Sequence, residues 1–508
     1  MINDFKNPLK RLLGFDTQGQ VFIYQDRILR GIFKGKGELY LNILKICTDN
    51  DLFRYGIVKS WICKENILST ESYDFVVEHE KVPFISYPHE WCAKMLKDAA
   101  LFTIDLSLIL IQYDLILKDS HPYNIVFNNT TPIFLDFTSI IPADRITDPE
   151  NNIRPHRSLL SPFQYLWDIY ATYIYEMYRS MFYPYFIVPL SLMQYYLNEE
   201  AKIQLQTPLN SSYFPIINKR RLLFTENKRT ALSLLSFLVA YSRHKFNVLI
   251  QKWALTTEKG MCKQRFLRLL KKEVQSLCSA PRKSGYTGYY KEKGEEFSFE
   301  PSEIWNEKNM NVYNIIQKLK PNTLLDIGSN TGWFSVLASK LGCQVVAFDA
   351  DESCVSILYE KAKAEQLRIL PLVMDITSPT TNIFLNQTTD DEKDKTPFIQ
   401  AAKDRFKCEM VLALALIHHL VFNRGLNLDE IICLLDSFST KYLVLEFVSK
   451  NDKLILQDPI SYPAFHSNPH KFDWYTLNNL IIELKKYYRT VYTMPSFPDT
   501  RMLLVCEK

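Results

Sequence analysis

The feature that most constrains this chain is the run Leu324-Leu325-Asp326-Ile327-Gly328-Ser329-Asn330-Thr331-Gly332-Trp333-Phe334. An apolar stretch enters a turn with two glycines and leaves into a second apolar stretch at helical spacing. Glycine is scarce, 14 residues in 508, so two within five positions mark a turn with a backbone requirement. A strand that turns this way into a helix brings backbone N–H groups and a helix N-terminus close to a ligand. The GxxxG spacing is not the GxGxxG dinucleotide fingerprint.

The segments after the run repeat its rhythm. TLLDIG, QVVAFDAD, RILPLVMDI, MVLALALI and KYLVLEFV have strand length, with helical stretches between them. That alternation predicts an α/β fold over residues 297–508, a doubly wound, Rossmann-like parallel sheet. Ligands of such sheets bind at the carboxyl ends of the strands. Asp349 ends the second strand, where a carboxylate accepts both hydroxyls of a ribose, and Asp375 follows the third, near the place of an adenine amino group. His418 and His419 follow the fourth strand and Glu446 ends the fifth. An imidazole or carboxylate there can take a proton from a second substrate or simply hold it. Equally, both histidines can be structural or helix-capping, and Glu446 an ordinary strand-end carboxylate. Because the histidines are adjacent, one of them is expected to face the pocket. Residues 378–407, which contain QTTDDEKDKT, read as a surface loop.

Over residues 300–508 this pattern resembles the class I S-adenosylmethionine-dependent methyltransferases. Their cofactor turn usually reads D-x-G-x-G-x-G. Here Asn330 replaces the middle glycine, and Asn tolerates a left-handed backbone better than most residues. The resemblance implies S-adenosyl-L-methionine as cofactor, its methionine end framed by Asp326, Gly328 and Gly332, its ribose on Asp349 and its adenine near Asp375. His418, His419 and Glu446 then become the catalytic candidates. Transfer from a sulfonium depends more on in-line positioning and exclusion of water than on covalent chemistry by the protein.

The first half reads differently. VFIY-QD-RILRGIF predicts a hairpin, EWCAKMLKDAALFTIDLSLILIQ a helix after Pro88, and IVF-NNTTP-IFLDF two strands around a turn. Between 146 and 280 the apolar spacing is helical and dense in Tyr and Phe, which predicts an aromatic-rich helical core. The expected organisation is 1–145, a helical lobe of the same domain over 146–280, a linker over 281–296, and the α/β domain over 297–508.

Asp119 and Asn124 stand in D-x-x-x-x-N spacing, and Asp136 follows a hairpin. The arrangement resembles protein kinases and small-molecule phosphotransferases. It implies an α+β kinase-like domain in which Asp119 orients an acceptor hydroxyl and Asn124 and Asp136 hold Mg²⁺ with ATP. Parts of that machinery are missing. Gly14 and Gly19 are isolated, Leu117 stands where the catalytic-loop histidine belongs, and the nearest stand-in for the phosphate-binding lysine is Arg30, with Glu38 as its partner. The expectation is a pseudokinase that recruits the acceptor or a protein partner, and the alternative is a working Mg-ATP phosphotransferase.

HEKVPFISYPHEW, MLKDAALFTIDL, LILKDSHPYNIVF and PIFLDFTS in the first half, with LLDIGSNTGWFS, LALALIHHL and LEFVSKND in the second, resemble the NoeA-like methyltransferases associated with nodulation. The resemblance implies a methyltransferase with a small-molecule or carbohydrate-like acceptor. A nodulation role does not follow from it.

Composition sets the remaining bounds. Sixty basic residues against 56 acidic ones leave a formal charge of +4, which gives no reason to expect a nucleic-acid partner. No clean apolar run reaches the ~18 residues of a membrane span, and MINDFKNPLKRLLGF lacks the apolar region of a signal peptide. Ten scattered cysteines without a CxxC pair read as thiols of a reducing compartment, which places the enzyme in the cytoplasm.

Overall fold

The computed structural model describes residues 9–12, 16–68, 70–147, 182, 185–187, 189–190, 193, 262–277, 284–288, 299–383, 397 and 399–508. The helical lobe expected over 146–280 and the linker over 281–296 lie largely outside the described residues. The chain divides into two compact units, one within residues 1–280 and one made of 281–383 and 399–508.

In the first unit, β1 (Lys10–Arg11), β2 (Gly19–Tyr24), β3 (Arg27–Phe33), β4 (Ser60–Ile62) and β5 (Tyr73–His79) form an antiparallel sheet in the order β1-β2-β3-β5-β4, with α1 (Gly37–Asp49) between β3 and β4. The β2–β3 hairpin is the expected one. Its two turn residues, Gln25 and Asp26, have φ of 55° and 84°, the two-residue turn whose twist matches that of the strands. Then comes α2 (Ala93–Leu110), which buries Leu96, Ala99, Ala100 and Ile104. Beyond it β6 (Leu115–Leu117) pairs with β9 (Ile140–Pro142), and β7 (Ile125–Asn128) forms a hairpin with β8 (Thr131–Phe134). The helix α3 (Cys262–Ser276) packs on α2.

In the second unit, α4 (Glu307–Leu319) leads into β10 (Thr323–Ile327), α5 (Trp333–Lys340), β11 (Gln344–Asp349), α6 (Glu352–Ala364) and β12 (Ile369–Val373). After α7 (Ala402–Arg405) come β13 (Cys408–Ala413), α8 (Ile417–Phe422), α9 (Leu428–Asp436) and β14 (Ser439–Val448). Three helices, α10 (Lys453–Gln457), α11 (Pro463–Ser467) and α12 (Leu477–Leu484), precede β15 (Thr490–Pro495) and β16 (Arg501–Glu507). The strand order is β12-β11-β10-β13-β14-β16-β15. Winding reverses between β10 and β13, and such a switch point opens a crevice at the carboxyl ends of the strands. The core beneath it joins Leu324, Val336, Leu337, Val345, Leu412 and Val444.

Two expectations are corrected. The sheet is not wholly parallel, because β16 runs antiparallel to both β14 and β15. The short connection from β15 to β16 permits only a hairpin. The segment 378–407 is also not one surface loop. Ile383 bridges to Ile399, and Ile399, Ala402 and Phe406 are buried, whereas the charged run 388–395 lies outside the described residues. Cys47, Cys63, Cys92, Cys343, Cys354, Cys408, Cys433 and Cys506 are unpaired thiols, and among the described residues no helix is long and apolar enough to cross a membrane.

Candidate active site

β10 carries Asp326 to the carboxyl edge of the sheet, and the chain then turns through Gly328, Asn330 and Gly332 at φ of 74°, 52° and 88°. At Gly332 the demand is steric as well, since a Cβ would fall 2.2 Å from Leu358 Cδ1. Asn330 takes the left-handed position expected of a glycine and stabilises it with its own side chain. Its Oδ1 accepts from the Thr331 N–H at 2.6 Å, and its Nδ2 donates to the Tyr286 carbonyl at 3.1 Å. The Asn330 N–H donates to Asp349 Oδ2 at 2.7 Å, which locks the turn to the end of β11.

Three carboxylates follow in strand order. Asp326 is buried and accepts from Ser335 Oγ at 2.6 Å, and burial pushes it up to about 6. Burial also raises Asp349, against the opposing effect of the N–H groups of Asp351 and Asn330. Asp375, just beyond β12, accepts from the Thr377 N–H and hydroxyl at 2.9 and 2.7 Å and from Arg424 Nη2 at 2.8 Å. All three line one cavity of about 830 Å³ in the second unit, together with Gly328 and Asn330. The donor set suits S-adenosylmethionine, with acceptors for an ammonium, ribose hydroxyls and an adenine amine, and apolar Met374, Ile376 and Leu414 beside them for a flat ring.

His418 and His419 both line this cavity, so the expectation that only one of them faces it is corrected. They lie in the first turn of α8 with ring centroids 4.2 Å apart. His419 Nε2 is 3.4 Å from the Tyr462 hydroxyl, which comes from the segment between β14 and β15. Burial, assisted by Arg501, pushes His419 down to about 4, so its ring is uncharged at neutral pH.

Glu446 is placed differently from a catalytic base. It is fully buried and outside the cavity lining, where its Oε2 accepts from Lys308 Nζ at 2.7 Å and its Oε1 from Ser496 Oγ at 2.6 Å. Burial alone would raise Glu446, but the charges of Lys308 and Arg501 and these hydrogen bonds outweigh it and hold the carboxyl below its ordinary range. Lys308, not Glu446, reaches the cavity. Sequence reasoning missed Lys308, Tyr462, Arg424 and the Arg501–Asp452 pair, in which Arg501 Nε donates to Asp452 Oδ2 at 2.8 Å. A signal existed only for Lys308. Asn306 and Asn309 mark a helix start, and Asn306 Oδ1 does accept from the Asn309 N–H at 2.9 Å.

The first unit gathers a second cluster. Arg30 lies in the middle of β3, not at its end, and Nη1 donates to Asp16 Oδ2 at 2.8 Å and Asp136 Oδ1 at 2.9 Å. The expected partner Glu38 is instead exposed on α1, and the residue of α1 that reaches this region is Tyr40, whose hydroxyl donates to the Thr138 carbonyl at 2.8 Å. Asp119 Oδ2 is 3.1 Å from His121 Nε2. Burial opposes both charges, but the pairing prevails, so Asp119 falls and His121 rises from its ordinary value. Asn124 Nδ2 donates to the Asp119 carbonyl at 3.3 Å.

No family model matches the chain. It is 24% identical over 455 residues to Nodulation protein NoeA of Rhizobium meliloti (strain 1021), covering 87% of this chain and 85% of that protein. A stretch of 77 residues is 36% identical to Ribosomal protein L11 methyltransferase of Thermotoga petrophila, 15% of this chain and 29% of that protein. Similar solved structures include the bifunctional kinase-methyltransferase WbdD, at 16% identity over 46% of this chain and 44% of that chain, with a TM-score of 0.28. The chain therefore spans less than half of the WbdD chain it matches. Another is magnesium protoporphyrin IX methyltransferase of Synechocystis PCC 6803 with bound SAH, at 12% identity over 44% of this chain and 97% of that chain, with a TM-score of 0.27. The fold of the second unit is defined by its strand order and by the left-handed turn after β10. The chain is thus similar to NoeA over most of both lengths, and its second unit is a Rossmann-like α/β domain with one antiparallel strand pair at its edge.

Proposed function

We propose that the cavity binds S-adenosylmethionine and that its methyl group passes to a small-molecule or carbohydrate-like acceptor. The observation that carries this reading is the order of Asp326, Asp349 and Asp375 around one left-handed turn in a single cavity wall. When bound, the cofactor supplies an electrophilic methyl on a sulfonium. Asp349 accepts from the ribose hydroxyls, Asp375 from the adenine amine, and Asp326 faces the methionine end. The neutral His419 ring adds no positive charge beside a sulfonium, and Lys308, Arg424 and Arg501 are held by Glu446, Asp375 and Asp452. Leu416, Leu420 and Ile455 shield the reacting centre from water. His418 and His419 hold the acceptor atom, and where that atom carries a proton an imidazole nitrogen takes it.

The first unit is read as a kinase-like domain that does not transfer phosphate and instead recruits the acceptor or a partner protein. Its residues do not fit Mg-ATP well. Asp136, the expected metal ligand, is engaged by Arg30 at 2.9 Å, and a second carboxylate, Asp16, engages the same guanidinium. The second reading, a phosphotransferase built on Asp119, Asn124 and Asp136, has the Asp119–His121 pair in its favour.

Calorimetry with S-adenosylmethionine tests the cofactor assignment, and binding weaker than millimolar would remove it. Metabolite profiling with labelled S-adenosylmethionine identifies the acceptor without presupposing it. A Mg²⁺-dependent thermal shift with ATP that is lost in Asp136→Ala would favour the phosphotransferase reading.

A further inference from the structure

The cluster around Arg30 has the donor chemistry of a phosphate site, and a carboxylate of the same chain fills it. Arg30 comes from β3, Lys118 follows β6, and Thr138 follows β8. Guanidinium, ammonium and hydroxyl groups converging on one point are what a phosphate-bearing ligand requires. Here they converge on Asp16, from the connection between β1 and β2. Its Oδ2 accepts from Arg30 Nη1 at 2.8 Å and from the Thr138 hydroxyl. Its Oδ1 accepts from Lys118 Nζ at 3.4 Å and from the Gln18 N–H at 3.0 Å. Arg30 Nη1, the Thr138 hydroxyl and Lys118 Nζ are thereby engaged, while the buried Arg30 Nε is left without a partner.

Two further facts decide what this arrangement does. The two cations, Arg30 and Lys118, are matched by two carboxylates, Asp16 and Asp136, so an arriving anion meets no excess positive charge. The carboxylates are also the outer layer. Asp16 and Asp136 side chains are 16% and 21% exposed, against 8% and 13% for Arg30 and Lys118. A phosphate coming from solvent faces like charge first and must displace a partner that already makes the charge-assisted hydrogen bonds it would make.

We propose that Arg30, Lys118 and Thr138 form an anion cradle for a phosphate ester or oligophosphate, and that Asp16 is its intramolecular occupant, competing with exogenous phosphate for the same donors. The proposal rests on the kinase-like reading only in naming a nucleotide as one source of the phosphate. It assigns to Asp16 a role distinct from absence of the glycine-rich loop, because removing one charge should restore binding where a merely eroded site would stay silent.

The test is calorimetry on the full chain, as wild type, Asp16→Asn, Asp16→Ala and the double variant Asp16→Ala/Lys118→Met, at one fixed low salt concentration. The probes are inorganic pyrophosphate without metal, and ATP with Mg²⁺. The expected result is pyrophosphate binding at least tenfold tighter in both single variants than in wild type, with the gain lost in the double variant. Equal affinity in wild type and both single variants would overturn the proposal, as would no gain in single variants that still melt cooperatively. If neither single variant melts cooperatively, Asp16→Ser takes their place: sub-millimolar pyrophosphate binding by the wild type, or no gain in Asp16→Ser, would overturn the proposal, and a gain of tenfold or more would support it. Pyrophosphate gain without any ATP gain would leave the cradle standing and remove the kinase-like nucleotide reading.

Discussion

The Lys308 ammonium lies 2.7 Å from the Glu446 carboxylate, and Glu446 has no exposure to water. Removing one member of such a pair strands the other charge in the interior. Glu446→Ala should therefore cost about 3–5 kcal/mol in urea unfolding. Replacing both, as Lys308→Met with Glu446→Leu, should cost far less, because no charge is left unpaired. A double variant as unstable as the single one would mean that the cost comes from packing around Ser496 and not from the pair.

Asp349 is expected to contribute most of the grip on ribose. Asp349→Ala should weaken S-adenosylmethionine binding about 10- to 100-fold, the effect of losing hydrogen bonds to a charged acceptor. Because Asp349 also accepts from the Asn330 N–H, Asp349→Asn is the companion variant. It retains an acceptor for the turn and should fall between wild type and alanine. Calorimetry reads all three, and unchanged affinity in both variants would remove Asp349 from the site.

The two glycines of the turn should respond unequally. An alanine Cβ at Gly328 meets nothing nearer than Leu416 Cδ1 at 3.5 Å, so Gly328→Ala carries only the backbone cost of a left-handed residue, about 1–2 kcal/mol. At Gly332 the same Cβ collides with buried Leu358, which adds about 1–3 kcal/mol of overpacking. Thermal or urea unfolding should rank Gly332→Ala as the more damaging change, and the reverse order would contradict the packing described at this turn.

Stability should carry a signature of Asp326. Its carboxyl is raised to about 6 in the fold from an ordinary 3.8, so between those values the native state binds more protons than the unfolded chain. Unfolding free energy therefore decreases as pH rises from about 4 to about 6 and levels above it, by up to about 3 kcal/mol from this group. Asp326→Asn should abolish that contribution. Urea titrations at pH 4.5 and 7 on both proteins would show it as a smaller difference between the two pH values in one direction, with Asp326→Asn gaining relative stability at pH 7.

What was legible in the sequence was local. The Asn330 turn could be read because backbone stereochemistry is set within a few residues, and Gln25-Asp26 announced a hairpin for the same reason. Strand ends named the edge on which Asp326, Asp349 and Asp375 would gather. They did not say to which side of the strand a side chain turns, which is how Glu446 came to be expected at the cavity when it lies behind Lys308. Pairings between distant segments left no trace in spacing. Asp16 and Arg30 are 14 residues apart, Asp452 and Arg501 are 49 apart, and nothing in either neighbourhood announces the other. β15 and β16 both lie beyond the strands named from the sequence; β15 turns only Tyr492 and Met494 to the core, too short an alternation to mark a strand.

The position of β16 between β14 and β15 has a consequence for synthesis on the ribosome. β15 emerges first, yet it has no neighbour in the sheet until β16 is made and pairs with both strands. During that interval β14 presents an open edge, which is a template for mispairing with other nascent chains. The second unit thus completes its sheet only once residues 501–507 have left the exit tunnel, well after the first unit has been free to fold.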